Sequence, residues 1–527
     1  MAATKNILFI MCDQLRADYL GCYGHPSIKT PHLDRLAEKG VVFTRAYVQA
    51  PICGPSRMSF YTGRYMMSHG SVWNNVPLSL DNHTIGDYLR PEGMQVALVG
   101  KTHMSADLEG MERVRLDPNS LEAIRLSQCG FDPVERDDGL HPSEFVKPLA
   151  YNQYLNQMGY PGDNPWHDFA NSAEGPNGEV LTGWSVKNSA FPARVREEHS
   201  ETPYMTNRAI DFIREKGENP WCLHLSYIKP HWPYMAPAPY HEMYNEDDML
   251  PVNTSSSEAK NPHPVYQAFR DQEESITFRR EDARKTVIPA YMGLVSQIDH
   301  HLGRLFKFLE EEGRMDDTMI VFTSDHGDYL GDHGLGEKQL FHEESVRIPL
   351  IIYDPSNAAD PTRGRQDSRF VESIDLIPTF IESVGGKVKS QRLEGRSLRP
   401  LLHDQDVSWR QLTFSEADYS FYLARAKLGV DPHRAKAYMV RSEEWKYIFY
   451  EGYSPQLFDL KNDPNELHDL GEDNDCEGVR REMAEHLFSF FRNRRSVITL
   501  SEEEIIKRAG TAKKRGIYIG VWDCDQE

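Results

Sequence analysis

Cysteine is scarce in this chain: seven among 527 residues, widely spaced and without a C-x-x-C pair. That scarcity excludes a disulfide framework and a zinc ribbon as organising devices. Long apolar runs are missing too. The run that opens the chain, residues 7–12, is only six long, whereas a membrane-spanning helix needs about twenty. No small-residue cleavage pattern follows it, so a cytoplasmic location is expected. Positive charge is in deficit, with 59 Lys and Arg against 80 Asp and Glu and a formal net charge of −21. Nucleic acid and anionic membranes demand a basic surface and are excluded as main partners. A small anionic substrate is not, because it meets only its pocket.

What is present is a repeated strand pattern. Residues 6–11 form a continuous apolar run ended by Cys12-Asp13-Gln14, the mark of a buried parallel strand that delivers polar groups at its carboxyl edge. The pattern recurs at 96–99 before Lys101-Thr102-His103, at 221–225 before Lys229-Pro230-His231, and at 319–323 before Ser324-Asp325-His326. Between these runs lie helical stretches. Thr30-Pro31 reads as an N-cap and first turn of a helix closing at Gly40, and Leu294, Ile298, Leu302, Leu305 and Leu309 form an amphipathic stripe stopped by Gly313. Such alternation predicts an α/β fold, a large mostly parallel sheet flanked by helices, with ligands bound beyond the carboxyl ends of the strands. The four polar clusters are therefore expected to converge.

Two stretches break the pattern. Residues 152–192 are rich in Asn, Gly, Pro and Trp, and 251–285 are polar and charged; both read as surface excursions, around the mouth of a site. After residue 404 the texture shifts to short strand-like runs at 437–441 and 445–450, then a helix at 479–491. The expected organisation is an α/β domain over 1–405 and a smaller C-terminal α+β domain over 406–527. Residues 497–527 read as an arm that packs on a neighbouring subunit, and so as a sign of a homo-oligomer.

The strongest chemical signal is Cys53-Gly54-Pro55-Ser56-Arg57, trailed by Thr62-Gly63-Arg64. A specified Cys, Pro, Ser and Arg in that arrangement would arise by chance in a chain of this length on the order of once in a thousand. The string resembles the C-x-P-S-R signature of sulfatases. That resemblance implies an alkaline phosphatase-like fold, and conversion of Cys53 to formylglycine by a maturation enzyme. A serine nucleophile would be left holding a sulfate ester that must be hydrolysed at sulfur. The hydrated aldehyde is a gem-diol and can expel sulfate by collapsing back with C–O cleavage. Ser56-Arg57 is expected to open a helix, placing the nucleophile at a helix N-terminus that favours anions, with Arg57 stabilising the negative diol oxygen.

Asp13 with Gln14, and Asp325 with His326, are paired metal-ligand candidates at two strand ends. Residues 322–328 resemble the second metal-binding segment of sulfatases and of the wider alkaline phosphatase superfamily. A divalent cation there would acidify the diol and neutralise the anionic ester. Most sulfatases carry a second Asp where Gln14 stands and often an Asn where His326 stands; the pairing seen here is similar to that of bacterial phosphonate monoester hydrolases. Two carboxylates, an amide oxygen and an imidazole admit manganese beside calcium.

Lys101-Thr102-His103 matches the Lys-x-His of sulfatases. The match implies Lys101 on a sulfate oxygen and His103 taking the proton from the second diol hydroxyl. Phosphonate monoester hydrolases carry Tyr and Thr there, which favours sulfate esters. His231 and Lys338 match family positions that contact the substrate anion and protonate the leaving oxygen, and Asn74 is carried over as a substrate contact. Trp73 and Trp232 are candidates to stack on an aryl leaving group or to pack in the core; His342 has no assigned role. Residues 457–466 resemble a C-terminal sulfatase segment and read as a strand, a tight Asn-Asp-Pro turn and a helix start. The resemblance runs from Asn6 to about Leu470. It implies a sulfate monoester hydrolase of arylsulfatase type with promiscuous phosphonate monoester and phosphodiester cleavage. Two rivals stand beside it: phosphonate or phosphodiester hydrolysis as the native task, and a non-catalytic anion-binding protein in which Cys53 stays a thiol.

Overall fold

The computed structural model describes residues 4–142, 149–495, 497–520 and 522; Cys524 and the last residues of the expected arm lie outside the described residues. Its spine is a sheet of eight strands: β1 (Asn6–Asp13), β2 (Val41–Phe43), β3 (Gln95–Gly100), β4 (Asp132–Arg136), β5 (Trp221–Pro230), β6 (Thr318–Ser324), β7 (Leu350–Tyr353) and β8 (Arg365–Asp367). The spatial order is β8-β2-β7-β6-β1-β5-β3-β4. Only β7 runs against its neighbours in this sheet; every other pairing is parallel. Both faces are covered, which is why β1, β5 and β6 are buried along their whole length and are rich in apolar residues.

The four runs picked out in the sequence are adjacent, β6-β1-β5-β3. Met11 lies between Thr323 and Ser226, and Gly100 pairs with Ser226. Their polar termini therefore leave the sheet at one edge. At Gly100, φ is +112° and a Cβ would collide with the Ser226 carbonyl, so only glycine lets β3 come this close before Lys101.

Helix α1 (Pro31–Lys39) begins and ends where expected, but Thr30 does not cap it through its side chain. Its first N–H groups are instead bound by Asp299, which accepts from His32 at 3.1 Å and Leu33 at 2.8 Å. A buried helix end must find such partners. Asp299 belongs to a long helix, Glu281–Glu311, which carries the predicted leucine stripe on its buried face. That helix starts inside the stretch read as a surface excursion, and two short helices, Pro264–Arg270 and Glu273–Phe278, precede it. The expectation of an excursion at 251–285 is corrected: Val265, Ala268 and Phe269, at helical spacing, anchor this polar stretch to the core. Residues 152–192 are likewise pinned, by buried Trp166 and Ala173.

A four-stranded antiparallel sheet follows: β9 (Thr413–Asp418), β10 (Lys436–Arg441), β11 (Trp445–Tyr450) and β12 (Gln456–Asp459), in that order. Alternation splits its side chains. Val440, Tyr447 and Leu457 meet Met483 and Leu487 of the helix Glu477–Arg492, while Met439, Ile448 and Phe458 join the core beneath the large sheet. The helix start expected near Pro464 does not form. Glu466, at φ +55°, is drawn inward by Lys446 at 2.6 Å and accepts from the Glu343 N–H at 2.8 Å. Among the described residues no helix is long and apolar enough to cross a membrane.

One buried ion cluster gives a stability prediction. His333 Nδ1 lies 2.8 Å from Glu258 and its Nε2 3.2 Å from Glu344. Burial disfavours the charged ring, but Glu344 and Glu258 outweigh it and raise its pKa to about 10. The contribution is full below the ordinary value of 6.5 and is lost as pH rises through about 10. His333→Gln is expected to destabilise by roughly 2–4 kcal/mol at pH 6 and by much less above pH about 10; denaturant melts across this range check it.

Candidate active site

Helix α2 (Cys53–Thr62) opens at Cys53 and is buried over all ten residues. Its N-terminus faces the ends of β1 and β6. Cys53 Sγ sits 3.0 Å from His326 Nε2 and 3.7 Å from Asp13 Oδ1. One ligand atom from each of Asp13, Cys53, Asp325 and His326 lies within 4.8 Å of the others, and all four residues are buried. Arg57, one turn along α2, reaches back beneath them. Its Nε donates to Asp325 at 2.8 Å and its second amino group to Asp13 at 3.1 Å, while the third nitrogen donates to the Lys101 carbonyl at 2.9 Å and to Ser226 Oγ at 2.8 Å. The guanidinium thus braces two carboxylates rather than standing free for a diol oxygen.

The cationic side of the site comes from three other loops. Lys101 Nζ lies 2.6 Å from Asp13, and Lys338 Nζ donates to Gln14 Oε1 at 2.8 Å and pairs with Glu337 at 2.8 Å. His231 Nε2 is 3.5 Å from Lys338 Nζ and 4.0 Å from Asp13, with its Nδ1 2.5 Å from the Trp232 carbonyl. Asn74 Oδ1 accepts the Gly54 N–H at 2.7 Å, which ties it to the first turn of α2. The turn carrying Lys101 and His103 is held by Asp138, whose Oδ1 accepts from the Thr102 and His103 N–H groups at 3.1 and 2.9 Å.

Electrostatics follow from this packing. Burial and the Cys53 thiolate both push the Asp13 carboxyl up, but Lys101, His231 and Arg57 hold it well below the usual carboxylate range. Burial also raises the Cys53 thiol, yet Lys338, His326 and Lys101 bring it well below the ordinary thiol value. Burial lowers the His231 pKa, helped by Lys338 and Lys101 and opposed by Asp13. A site that stabilises an anion at position 53 and a deprotonated Asp13 suits an anionic ligand and a cation together.

The donor set fits a divalent metal. His326 Nδ1 lies 2.8 Å from the Gly327 carbonyl, so Nε2 is the ring nitrogen that faces Asp13 and Asp325, at 3.9 and 3.7 Å. Asp13, Asp325, the Gln14 carbonyl oxygen and His326 would supply oxygen and nitrogen donors of the kind calcium and manganese take.

Asp13, Gln14, Cys53, Arg57, Lys101, His231, Asp325, His326 and Lys338 are linked in this one network, whereas His342 lies apart, stacked on His333 and hydrogen-bonded to Tyr329. Sequence reading missed Asp138, Ser226, Asp328, Glu337 and Tyr422. Tyr422 is half-buried near Lys338 and Cys53 and meets Trp73 edge-on at 4.4 Å; Phe421 stacks on Trp73 at 5.3 Å. Trp232 stacks on His231 and approaches Trp184. Both tryptophans are thus half-buried rim residues.

The large mostly parallel sheet, with Cys53 at a helix end beside buried Asp13, Asp325 and His326, is the architecture of hydrolases of the alkaline phosphatase superfamily. The Sulfatase family model matches residues 5–386, and a second, described as N-sulphoglucosamine sulphohydrolase, C-terminal, matches 331–493. The chain belongs to the sulfatase family. It is 32% identical over 510 residues to the multifunctional alkaline phosphatase superfamily protein PehA of Trinickia caryophylli, covering 92% of this chain and 95% of that one. Identity to an arylsulfatase of Clostridium perfringens is 28%, over 88% of this chain and 90% of the relative. Among solved structures, the phosphonate monoester hydrolase SpPMH from Silicibacter pomeroyi superposes with a TM-score of 0.81 at 29% identity, covering 95% of this chain and 98% of that one.

Proposed function

We propose that this chain hydrolyses sulfate monoesters of arylsulfatase type, with Cys53, oxidised to formylglycine by a maturation enzyme, carrying the nucleophile. The observation that supports it most is the placement of Cys53 at the first residue of α2, between Asp13 and His326. Asp13, Gln14, Asp325 and His326 would hold calcium or manganese, which supplies the charge that acidifies a hydroxyl at position 53. Lys101 and Lys338 neutralise the ester oxygens, and Asn74 and His231 complete the anion contacts. The proton needed by the departing oxygen is held at Lys338 Nζ, 3.5 Å from His231 Nε2. His103 has a buried Nδ1 without a partner, suited to take a proton as sulfate leaves. The Lys101 and His103 pair supports sulfate as the native ester; the likeness to phosphonate monoester hydrolases supports phosphonate monoesters and phosphodiesters as side substrates.

The same reading makes residues 1–405 the catalytic domain, completed by Tyr422 from the smaller domain at 406–527. It places the protein in the cytoplasm as a homo-oligomer, with the exposed arm bearing Ile506 and Ile519 against a neighbouring subunit.

The test is peptide mass spectrometry across Cys53 on a preparation assayed with an aryl sulfate and manganese or calcium. A mass about 18 Da below cysteine together with turnover is expected. An unmodified thiol in active protein overturns the reading, as does sulfate binding without turnover in modified protein. A higher kcat/KM for a matched aryl phosphonate would make phosphonate hydrolysis the native task. The aromatic rim yields a further expectation. Trp73→Ala should raise KM for an aryl sulfate by roughly 3–10-fold, through loss of about 1 kcal/mol of stacking, and leave small alkyl sulfates unchanged in steady-state assays.

A further inference from the structure

Position 14 carries an amide where a carboxylate would bind a cation more strongly, and the surroundings of Gln14 explain why. Its Nε2 donates to Asp328 Oδ2 at 2.5 Å. The same oxygen accepts from the Tyr234 hydroxyl at 2.9 Å, and Asp328 Oδ1 accepts from the Leu330 N–H at 3.0 Å. Gln14, Asp328 and Tyr234 are all buried. On the main chain, the Gln14 N–H donates to Asp325 at 3.0 Å and its carbonyl accepts from Tyr291 at 2.9 Å, so the backbone cannot turn the side chain elsewhere.

An amide whose NH2 is bound by a carboxylate presents only its carbonyl oxygen on the other side, where Lys338 already donates to it at 2.8 Å. An aspartate at position 14, one methylene shorter, would offer Asp328 no N–H donor and would set a second carboxylate beside it in a buried site, where repulsion is poorly screened. We propose that Asp328 is the positioning residue of the metal site: it fixes Gln14 as a carbonyl-oxygen ligand and carries, one layer behind the ligands, the negative charge that a second aspartate would place directly on the metal. Gln14 and Asp328 are then an exchangeable pair, and the charge at one dictates the residue at the other. This rests on the proposed reading of Asp13, Gln14, Asp325 and His326 as a metal site, and it goes beyond that reading in naming what orients one ligand and sets the charge of the whole set.

The test uses full-length protein stripped of metal and titrated with manganese alone, with free Mn2+ read by electron paramagnetic resonance, so no turnover is needed. Asp328→Asn is expected to weaken Mn2+ binding by roughly 10-fold, in the range typical of residues that orient metal ligands. Gln14→Asp alone should also weaken it, whereas the swap Gln14→Asp with Asp328→Asn should restore affinity to the parent level or above. A structural role for Asp328 alone would not produce that rescue. Tyr234→Phe, which keeps the carboxylate but removes one of its donors, should weaken binding by about 2–3-fold and serves if Asp328→Asn does not fold. Parent protein that binds Mn2+ while folded Asp328→Asn or Tyr234→Phe binds it equally well, or a swap that fails to rescue, overturns the proposal and leaves the metal site standing. Parent protein that binds neither Mn2+ nor Ca2+ overturns both.

Discussion

Cys53→Ala is expected to lower turnover of an aryl sulfate by at least about 10⁴-fold, because the nucleophile itself is removed. Stability should change little. The thiol is small, the helix it opens is held by buried residues along all ten positions, and alanine is favourable in a first turn. Cys53→Ser separates the two halves of the reaction. A hydroxyl held between Asp13 and His326 can attack sulfur, but it lacks the second oxygen whose deprotonation expels sulfate. The serine variant should therefore release about one equivalent of phenol and stop, its intact mass raised by about 80 Da. Steady turnover by the alanine variant would remove position 53 from the mechanism altogether.

The strand ends were legible because a parallel strand covered on both faces carries few polar positions until it leaves the sheet. Asp13, Lys101, His231 and Asp325 each follow such a run, and the pairing of β1 with both β5 and β6 brings three of them together at one edge. What the sequence hid is settled by long-range contacts. Asp299 caps α1 from 267 residues away, so Thr30, with the better local signature, is not used. Glu466 is diverted from a helix start by Lys446, which no local pattern announces. Tyr422 reaches Trp73 across some three hundred and fifty residues of chain, about as far as any pair in the site. Ser226 had a faint signal, being a small hydroxyl within the largely apolar first half of β5; Asp328 had a fainter one, two residues beyond His326 in a segment where every acid looked equally available.

Arg57 is where the structure most changes the expected role of a recognised residue, and Arg57→Lys tells the two roles apart. The guanidinium is fully buried and spans Asp325 at 2.8 Å and Asp13 at 3.1 Å, with two further bonds to Lys101 and Ser226. A lysine keeps the charge but ends in one compact ammonium, which cannot reach both carboxylates from the same helix position. At least one buried carboxylate is then left short of its partner, which should destabilise the fold by roughly 3–5 kcal/mol. Misplaced Asp13 and Asp325 should weaken Mn2+ binding by at least 10-fold and lower kcat/KM by about 10³-fold. If Arg57 instead acted directly on charge at position 53, the retained positive charge would preserve stability and Mn2+ affinity, and the loss would fall on kcat alone. Urea unfolding and Mn2+ titration of the same variant decide between the two roles, and a variant with parent-like values in both would return Arg57 to the reacting oxygen.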